Sequence, residues 1–231
     1  MRGSNKAVSL SIILPVLNEA GCIVSTLLEL RTLRLNGAEI IVVDGGSQDE
    51  TVTLAAPHAE QVISCARGRA QQMNRGAAAA NGEFLLFLHA DTRLPDDAWP
   101  TLSGAIAKGA VWGRFDVKIE GQPRLLRLIA FMMNLRSRLS GIATGDQGIF
   151  VRRTDFERLG GYPPIPLMED LALSEALKKL AKPACLRSRV VTSGRRWEKY
   201  GLWKTIFLMW LLRAAYRCGV SPEILARQYR S

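Results

Sequence analysis

Short apolar runs alternate with segments of helical periodicity along the first third of the chain. Runs at 8–14, 39–43 and 84–88 are rich in apolar residues, and the last one reads FLLFL. Runs of this length are typical of strands buried on both faces. Between them, Ile23, Leu27 and Leu30 at i, i+4 and i+7 and an alanine-rich segment at 69–80 predict helices. This alternation predicts a parallel, doubly wound α/β sheet.

The predicted strands end in polar or turn-forming residues. Pro15 is expected to end the first strand, because proline cannot continue a central ladder. After the second strand, Ser47 is expected to cap a helix together with Glu50. The third strand turns polar at His89 and Asp91, at the carboxyl edge where open α/β sheets bind ligands. Asp91 is therefore predicted to bind a metal carried by a phosphate-bearing substrate.

Beyond residue 92 the pattern is looser, but it predicts six further elements. These are strands at 110–119, 149–151 and 189–192 and helices at 124–139, 168–180 and 202–218. The wheel of the helix at 124–139 predicts a polar side made of Arg124, Arg127, Asn134, Ser137 and Arg138. Its predicted apolar side is made of Leu125, Leu128, Ile129, Met132 and Leu139. No long linker interrupts the chain, so we expect one domain at 1–200 and a C-terminal helical extension at 201–231.

The extension allows two interpretations. Residues 206–212 are uninterruptedly apolar, with Lys204 and Arg213 at the ends and Trp203 and Trp210 nearby. The run is too short to span a bilayer. It either lies on a membrane surface as an interfacial helix or packs against the sheet or a second subunit of a homodimer. The polar positions form no clean stripe, so the pattern leaves both interpretations open.

Composition narrows the class of partner. The chain of 231 residues is 48% hydrophobic, enough for a sizeable core, and its formal net charge is +10. That excess favours an anionic partner, such as a nucleotide diphosphate or an anionic membrane face. Aromatic residues make up only 7%, and no arginine-rich tail is present, which disfavours nucleic acid. The four cysteines form no C-x-x-C pair and no signal-peptide pattern is seen. We therefore expect free thiols in a cytoplasmic protein, either free in the cytoplasm or bound peripherally at the inner face of the membrane.

The order of five short motifs resembles that of glycosyltransferase family 2, whose members have the GT-A fold. The motifs are Pro15-x-x-Asn18-Glu19, Asp44-Gly45-Gly46-Ser47, Arg67-Gly68-Arg69, His89-Ala90-Asp91 and Glu169-Asp170. More narrowly, the stretch GRAQQMNRGAAAANGEFLLFLHADT is similar to a small bacterial branch associated with arsenosugar biosynthesis. The resemblance implies a GT-A, Rossmann-like, mostly parallel sheet flanked by helices. It also implies a nucleotide-sugar donor bound at the carboxyl edge.

The resemblance assigns a role to each motif on the donor side. Pro15, Asn18 and Glu19 would line the nucleoside, with uracil as the first choice of base. Asp44 would accept a hydrogen bond from the base or the ribose, although it could instead bind backbone donors of its own turn. The remaining donor-side residues are Arg67 or Arg69 at the diphosphate or base, His89 and Ala90 beside them, and Asp91 at Mg²⁺ or Mn²⁺.

The resemblance also implies inverting chemistry, with Asp170 as the base and Glu169 beside it. Both acids could instead simply stabilise the start of their helix. The family's usual metal motif is Asp-x-Asp, and His89 replaces its first Asp here, which weakens the expectation of strict metal dependence. The acceptor, a small molecule or a lipid-linked one, is not indicated.

Three other classes compete with this interpretation. A nicotinamide-dependent oxidoreductase would explain an acid after the second strand, but PVLNEAG follows the first strand where that class has G-x-G-x-x-G. A nucleotidyltransferase would need a glycine-rich basic loop at the same place. A basic membrane-binding module without enzymatic activity would account for the net charge alone.

Overall fold

The computed structural model describes residues 9–122 and 125–230. Within them the strands are β1 Leu10–Val16, β2 Glu39–Asp44, β3 Gln61–Ser64, β4 Phe84–Phe87, β5 Thr92–Arg93, β6 Trp112–Glu120, β7 Ile149–Arg152 and β8 Ala184–Ser193. They form one sheet in the order β3-β2-β1-β4-β7-β6-β8-β5. Strands β1 to β4 pair in parallel, and so do β6 and β8, whereas β7 and β5 pair antiparallel with their neighbours. The mostly parallel, Rossmann-like sheet is thus confirmed, with antiparallel strands in its second half.

Helices cover the sheet on both faces. Within the described ranges they are α1 Ile23–Glu29, α2 Arg31–Leu35, α3 Thr51–Ala55, α4 Arg69–Ala79, α5 Ala98–Ala107, α6 Leu125–Ser140, α7 Arg153–Arg158, α8 Glu169–Leu180, α9 Arg195–Tyr200, α10 Leu202–Arg217 and α11 Pro222–Arg230. Alternate residues of β1 enter different cores: Ile12 packs with α1 and α6, and Ile13 packs with α4 and α8. This burial on both faces is why the central strands are apolar throughout.

The first strand does not end at Pro15, as the sequence predicts, but continues to Val16. Leu88 donates its N–H to the Ile13 carbonyl, so odd-numbered residues of β1 face β4, where pairing ends at Ile13 with Phe87. Pro15 lies beyond the last residue of β1 that pairs with β4, so its missing N–H removes no hydrogen bond between these two strands. The residues on either side of Pro15 still pair with β2. Val8, the predicted first residue of this strand, lies outside the described residues.

Two further predictions about the first half are wrong in detail. Ser47 does not cap a helix, since α3 begins at Thr51 and its N-cap, Glu50, makes no side-chain capping bond. The short strand β3 follows α3 and was not expected, because its four residues, QVIS, include two polar ones and are only half-buried or exposed.

Helix α6 departs in part from the predicted wheel. Ile129 of the predicted apolar side is buried, but Leu128 and Leu139 are exposed, whereas Ser137 is buried and Asn134 is half-buried. The amide of Asn134 exchanges hydrogen bonds with the backbone of Val117 in β6, at 2.8 and 2.9 Å. Because β6 binds Asn134, the inward side of α6 includes polar residues in the second half of the helix. The apolar residues left exposed on α6 are Leu125, Leu128, Phe131, Met132, Leu135 and Leu139, while Arg124, the predicted first residue, lies outside the described residues.

Helix α10 confirms the helix predicted at 202–218, and the segment 201–231 also contains α11, which the sequence did not predict. Leu212 of α10 and Leu225 of α11 are buried against Ile142 and Met168, next to the start of α8. The opposite side of α10 leaves Trp203 and other aromatic residues exposed. Among the residues that the structure describes, no helix has both the length and the apolar character that crossing a membrane requires.

Candidate active site

The loops that leave β1 and β2 are tied together at the carboxyl edge. Asn18 has a left-handed backbone (φ 55°), donates its N–H to Ser47 Oγ at 2.8 Å, and accepts the Gln48 N–H at 2.8 Å. The Glu19 N–H is bound by Thr51 Oγ1 at 2.8 Å. Asn18 therefore shapes the loop, and its exposed side chain already binds the neighbouring turn.

Asp44 is buried in the turn that follows β2. It is only 3% exposed, and its carboxylate accepts the N–H groups of Gly46 at 2.9 Å and Ser47 at 3.1 Å. Of the two roles that the sequence left open, this geometry matches the turn role rather than a contact with base or ribose. Beneath it, the Gln72 side chain donates to the carbonyls of Val16 and Val43, each at 2.8 Å, and thereby holds the ends of β1 and β2 together.

A cleft of about 550 Å³ opens at this edge. Its volume lies within the range of ordinary small-molecule sites. Five of the predicted site residues line it, namely Pro15, Glu19, Arg67, Arg69 and Glu169. The loop Pro164–Leu167 and residues Ala226 and Tyr229 of α11 form the remaining wall. The structure thus gathers residues from the first, third and fifth motifs around one cavity.

Asp91 lies on the other side of the β1 loop and contacts a residue that the sequence did not single out as a site. Arg195 Nη2, at the start of α9, is 3.3 Å from Asp91 Oδ2 and 3.8 Å from Glu19 Oε2. Cys22 Sγ lies 3.1 Å from the same Glu19 oxygen. Burial, followed by the Glu19 contact, raises the pKa of the Cys22 thiol to about 12, so this group stays protonated at neutral pH. No sequence signal links Arg195 to Asp91, because the two meet only in the fold.

The donor set around Asp91 suits a cation carried by a substrate rather than one held by the protein alone. The described residues contain no group of three or more His, Cys, Asp or Glu side chains able to hold a metal. Mg²⁺ in phosphate sites takes only one or two carboxylates and completes its shell with phosphate and water oxygens. Asp91 supplies one such carboxylate. Ala90 is buried, and its carbonyl accepts the Thr26 hydroxyl, which fixes the backbone just before Asp91.

His89 connects the end of β4 to the segment that precedes α8. Its Nδ1 lies 3.3 Å from Asp146 Oδ1, and its ring lies so close to Gly145 that a Cβ there would be 2.5 Å from Nε2. Burial alone would raise the pKa of Asp146, but His89 and then Arg69 hold it below its usual range. His89 therefore packs against the backbone of residues 145–146. The sequence did not indicate that this segment contacts the end of β4.

The two acids of the last motif begin α8. Asp170 Oδ2 accepts the Gly145 N–H at 3.0 Å, and Oδ1 accepts the Leu171 N–H at 2.8 Å. Glu169 is only 5% exposed, and its Oε1 lies 3.7 Å from Arg69 Nη1. Burial and the neighbouring charge of Asp170 raise the pKa of Glu169, which Arg69 offsets only in part.

The loop before α8 is fastened to α4. Asn74 donates to the Tyr162 carbonyl and accepts the Tyr162 N–H, both at 2.8 Å. Gly76, two residues later, lets α4 approach the sheet, since a Cβ there would lie 2.5 Å from Ile13 Cγ2. Asn74 and Gly76 together therefore fix α4 against the loop and the sheet, so that Arg69 at the start of α4 and Glu169 after the loop both line the cleft.

Solved structures share this architecture. A mannosyltransferase from Pyrobaculum calidifontis, in complex with GDP-Man and Mn²⁺, superposes with a TM-score of 0.58 at 22% identity, covering 81% of this chain and 57% of that one. Glucosyl-3-phosphoglycerate synthase from Mycobacterium tuberculosis, with Mn²⁺, UDP and phosphoglyceric acid, gives 0.59 at 23% identity over 80% of this chain and 69% of that one. At these identities the likeness shows the fold class, which is the GT-A fold.

The chain belongs to Glycosyl transferase family 2, whose family model matches residues 11–160. Among curated relatives, a PGL/p-HBAD biosynthesis glycosyltransferase of Mycobacterium bovis is 38% identical over 91 residues, which are 36% of each chain. An uncharacterized glycosyltransferase of Mycobacterium tuberculosis is 31% identical over 167 residues, 68% of this chain and 63% of the relative. The chain thus aligns with about a third of the length of the first of these relatives. Family membership argues against the oxidoreductase and the nucleotidyltransferase considered above.

Proposed function

We propose that this glycosyltransferase moves a sugar from a UDP-sugar to an acceptor hydroxyl by a single, inverting displacement. The observation that carries the proposal is the position of Asp170, which the Gly145 N–H holds at the first turn of α8 next to a cleft of nucleotide size. Solved relatives of this fold hold UDP or GDP-Man together with a divalent cation, which supports a nucleotide-sugar of the same kind here.

On the donor side, different residues would bind the nucleoside, the diphosphate and the metal ion. Pro15 and Glu19 would flank the nucleoside, and Arg67 and Arg69 bring positive charge to the diphosphate or the base. When bound, Mg²⁺ or Mn²⁺ would neutralise the charge on the departing diphosphate, with Asp91 as its protein ligand. Arg195 now contacts that carboxylate, so it supplies a second positive charge at the same place.

On the acceptor side, Asp170 removes a proton. The acceptor oxygen attacks the anomeric carbon, the bond from that carbon to the diphosphate oxygen breaks, and the diphosphate leaves with the electron pair. As the new bond forms, the acceptor O–H proton passes to an Asp170 oxygen. Glu169 is less suited to this step, because it is 5% exposed and faces Arg69.

Asp170→Asn tests this assignment. The amide keeps an acceptor oxygen but has no basicity, so we expect turnover to fall by about a hundredfold or more, the scale of general-base loss. UDP binding should persist. Hydrolysis of UDP-glucose, UDP-galactose and GDP-mannose supplies the rate, and UDP-induced thermal stabilisation supplies the binding.

Asp97→Asn is the matched control. Asp97 is the N-cap of α5, accepts bonds from Thr101 and Ser188, and does not line the cleft. Losing a carboxylate at a helix start there should leave turnover unchanged. Equal rates in parent and Asp170→Asn, or a loss that partial unfolding explains, would return Asp170 to the role of a helix-terminal acid.

An apolar surface supports the further proposal that the acceptor is reached at a membrane. Helices α6 and α10 both pack against the core that contains Ile12, and both expose large apolar side chains on their outer sides. On α10 these are Trp203, Phe207, Trp210 and Leu211. The basic side chains Arg127 and Lys204 lie on the same two helices, and the net charge is +10. Aromatic residues combined with basic ones suit the interface of an anionic bilayer, where a lipid-linked acceptor would be found.

A further inference from the structure

Two arginines next to the candidate base have hydrogen-bond donors without partners. In the described part of the chain, the buried polar side-chain atoms lacking any partner are His89 Nε2, Arg136 Nε, Arg136 Nη2 and Arg213 Nε. Three of the four belong to guanidinium groups. Leaving a buried donor unsatisfied is unfavourable, and more so for a charged group. The pair therefore demands an explanation that the fold alone does not supply.

The two arginines also repel each other. Arg136 lies on α6 and Arg213 on α10, and burial, followed by the positive charge of Arg213, lowers the pKa of Arg136 to about 10. Burial likewise lowers the pKa of Arg213. The opposing negative charges that each of them feels most come from Asp170, joined for Arg213 by Asp146. Two like charges are thus held together beside the proposed base.

The guanidinium of another arginine, Arg114, has hydrogen-bond acceptors around it. Arg114 is fully buried, yet it donates to Ser137 Oγ at 3.0 Å, to the carbonyls of Phe115 and Asn134 at 3.2 Å, and to the Asp116 carboxylate. A guanidinium that serves packing alone is therefore fully paired in this fold. The unpaired donors on α6 and α10 are an exception.

We propose that Arg136 and Arg213 bind the phosphate group of an anionic acceptor and so place its hydroxyl beside Asp170. Two guanidinium groups offer the charge and the forked donors that match a phosphate monoester. This inference rests on the proposed function, because it assigns the acceptor class to the same site.

The donor diphosphate is a less suitable occupant of this arginine pair. The diphosphate is assigned to Arg67 or Arg69 and to the cation at Asp91, where Arg195 adds a further positive charge. Arg195 feels chiefly Asp91 and Glu19, whereas Arg136 and Arg213 feel Asp170. Arg195 thus belongs to the leaving-group side, whereas Arg136 and Arg213 lie on the side of Asp170, which also influences Arg69.

Thermal unfolding with inorganic phosphate and with glycerol 3-phosphate tests the site, because a ligand that binds only the folded chain stabilises it. Both probes should stabilise the parent, with and without saturating UDP. Arg136→Met and Arg213→Met should each weaken phosphate binding about tenfold or more, the effect of losing charged hydrogen bonds. In phosphate-free buffer both variants should be at least as stable as the parent, since an unpaired buried charge is removed.

Arg31→Met is the control, because it removes an exposed positive charge from α2, which contributes no residue to the cleft. It should keep the full response to phosphate. An equal loss in all three variants would reduce the effect to net charge and overturn the site. A response that UDP abolishes would assign the phosphate to the donor position, which overturns it as well.

Vesicles of equal parts phosphatidylcholine and phosphatidic acid distinguish a lipid phosphate from a free one. Arginine-dependent binding of glycerol 3-phosphate supports a free phosphate ester, and arginine-dependent binding of the vesicles alone supports a lipid-linked one. Binding of neither probe refutes the inference. If the parent hydrolyses no nucleotide-sugar but keeps the arginine-dependent response, the proposed function fails while the anion site stands. If hydrolysis occurs without that response, only the anion site fails.

Discussion

Gly145→Ala would disturb the contact between His89 and the backbone that carries Asp146. Gly145 has no side chain where the His89 ring packs, and a Cβ there would lie 2.5 Å from Nε2 and 2.6 Å from Cε1. An ordinary van der Waals contact is 3.4–4 Å, so one group must retreat by about 1 Å. The ring is largely enclosed and its Nδ1 is 3.3 Å from Asp146, which leaves the 145–146 backbone as the part that moves.

The expected loss of activity follows from that displacement. The Gly145 N–H binds Asp170 Oδ2 at 3.0 Å, so moving the backbone moves or releases the proposed base. A misplacement of 1 Å costs on the order of a hundredfold in rate. Overpacking of this kind also destabilises by about 1–3 kcal/mol. We therefore expect about a hundredfold loss of turnover in a chain that still folds and still binds UDP.

Rates of nucleotide-sugar hydrolysis, UDP-induced stabilisation and denaturant midpoints check this expectation. Gly104→Ala is the matched control, because Gly104 lies inside α5 with nothing within 4 Å of its added Cβ. The same substitution there should stabilise by about 0.5–1 kcal/mol and leave the rate unchanged. Turnover of Gly145→Ala within twofold of the parent would refute the coupling between His89 and Asp170.

Three further predictions address the metal, a carboxylate and the membrane. EDTA should weaken UDP-induced stabilisation of the parent, because part of that stabilisation depends on the metal. Asp91→Ala should lack the metal-dependent part even without EDTA. If EDTA weakens the stabilisation of Asp91→Ala as much as that of the parent, the metal assignment is contradicted. Because the pKa of Glu169 is raised, the folded chain keeps its proton to higher pH than the unfolded chain does. The stability of the parent relative to Glu169→Gln should therefore fall as pH rises from the ordinary carboxyl range through the raised pKa, and parallel denaturation profiles would contradict this. The parent should float with anionic liposomes at low salt, and replacing Trp203, Phe207 and Trp210 with serine should abolish flotation; no flotation of the parent rules out the membrane contact.

The sequence could predict the central strands and the location of the site. Strands β1, β2 and β4 are buried on both faces, so their apolar runs predict them closely. Because parallel strands present their carboxyl ends at one edge, residues such as Pro15 and Asp91 were expected there. The family resemblance then added Glu169 and Asp170. They lie far beyond β1, β2 and β4 in the chain and carry no periodic signal of their own.

Features that depend on contacts between distant segments could not be predicted. The inward face of α6 includes Asn134 and Ser137 because β6 binds them, so the wheel alone misplaces these two residues. The sequence alone could not decide between the two roles of Asp44, since only the folded turn shows that both of its carboxylate oxygens accept backbone N–H groups. Arg136 and Arg213 come from different helices, and no local pattern indicates that donors of both lack partners.

The last described helix has a consequence for the order of events during protein synthesis. Helix α11 leaves the ribosome after every other described element, yet Ala226 and Tyr229 complete one wall of the cleft. Domains fold as their segments emerge, N-terminal part first. The nascent chain can therefore assemble its sheet early, but it lacks this wall until α11 docks through Leu225.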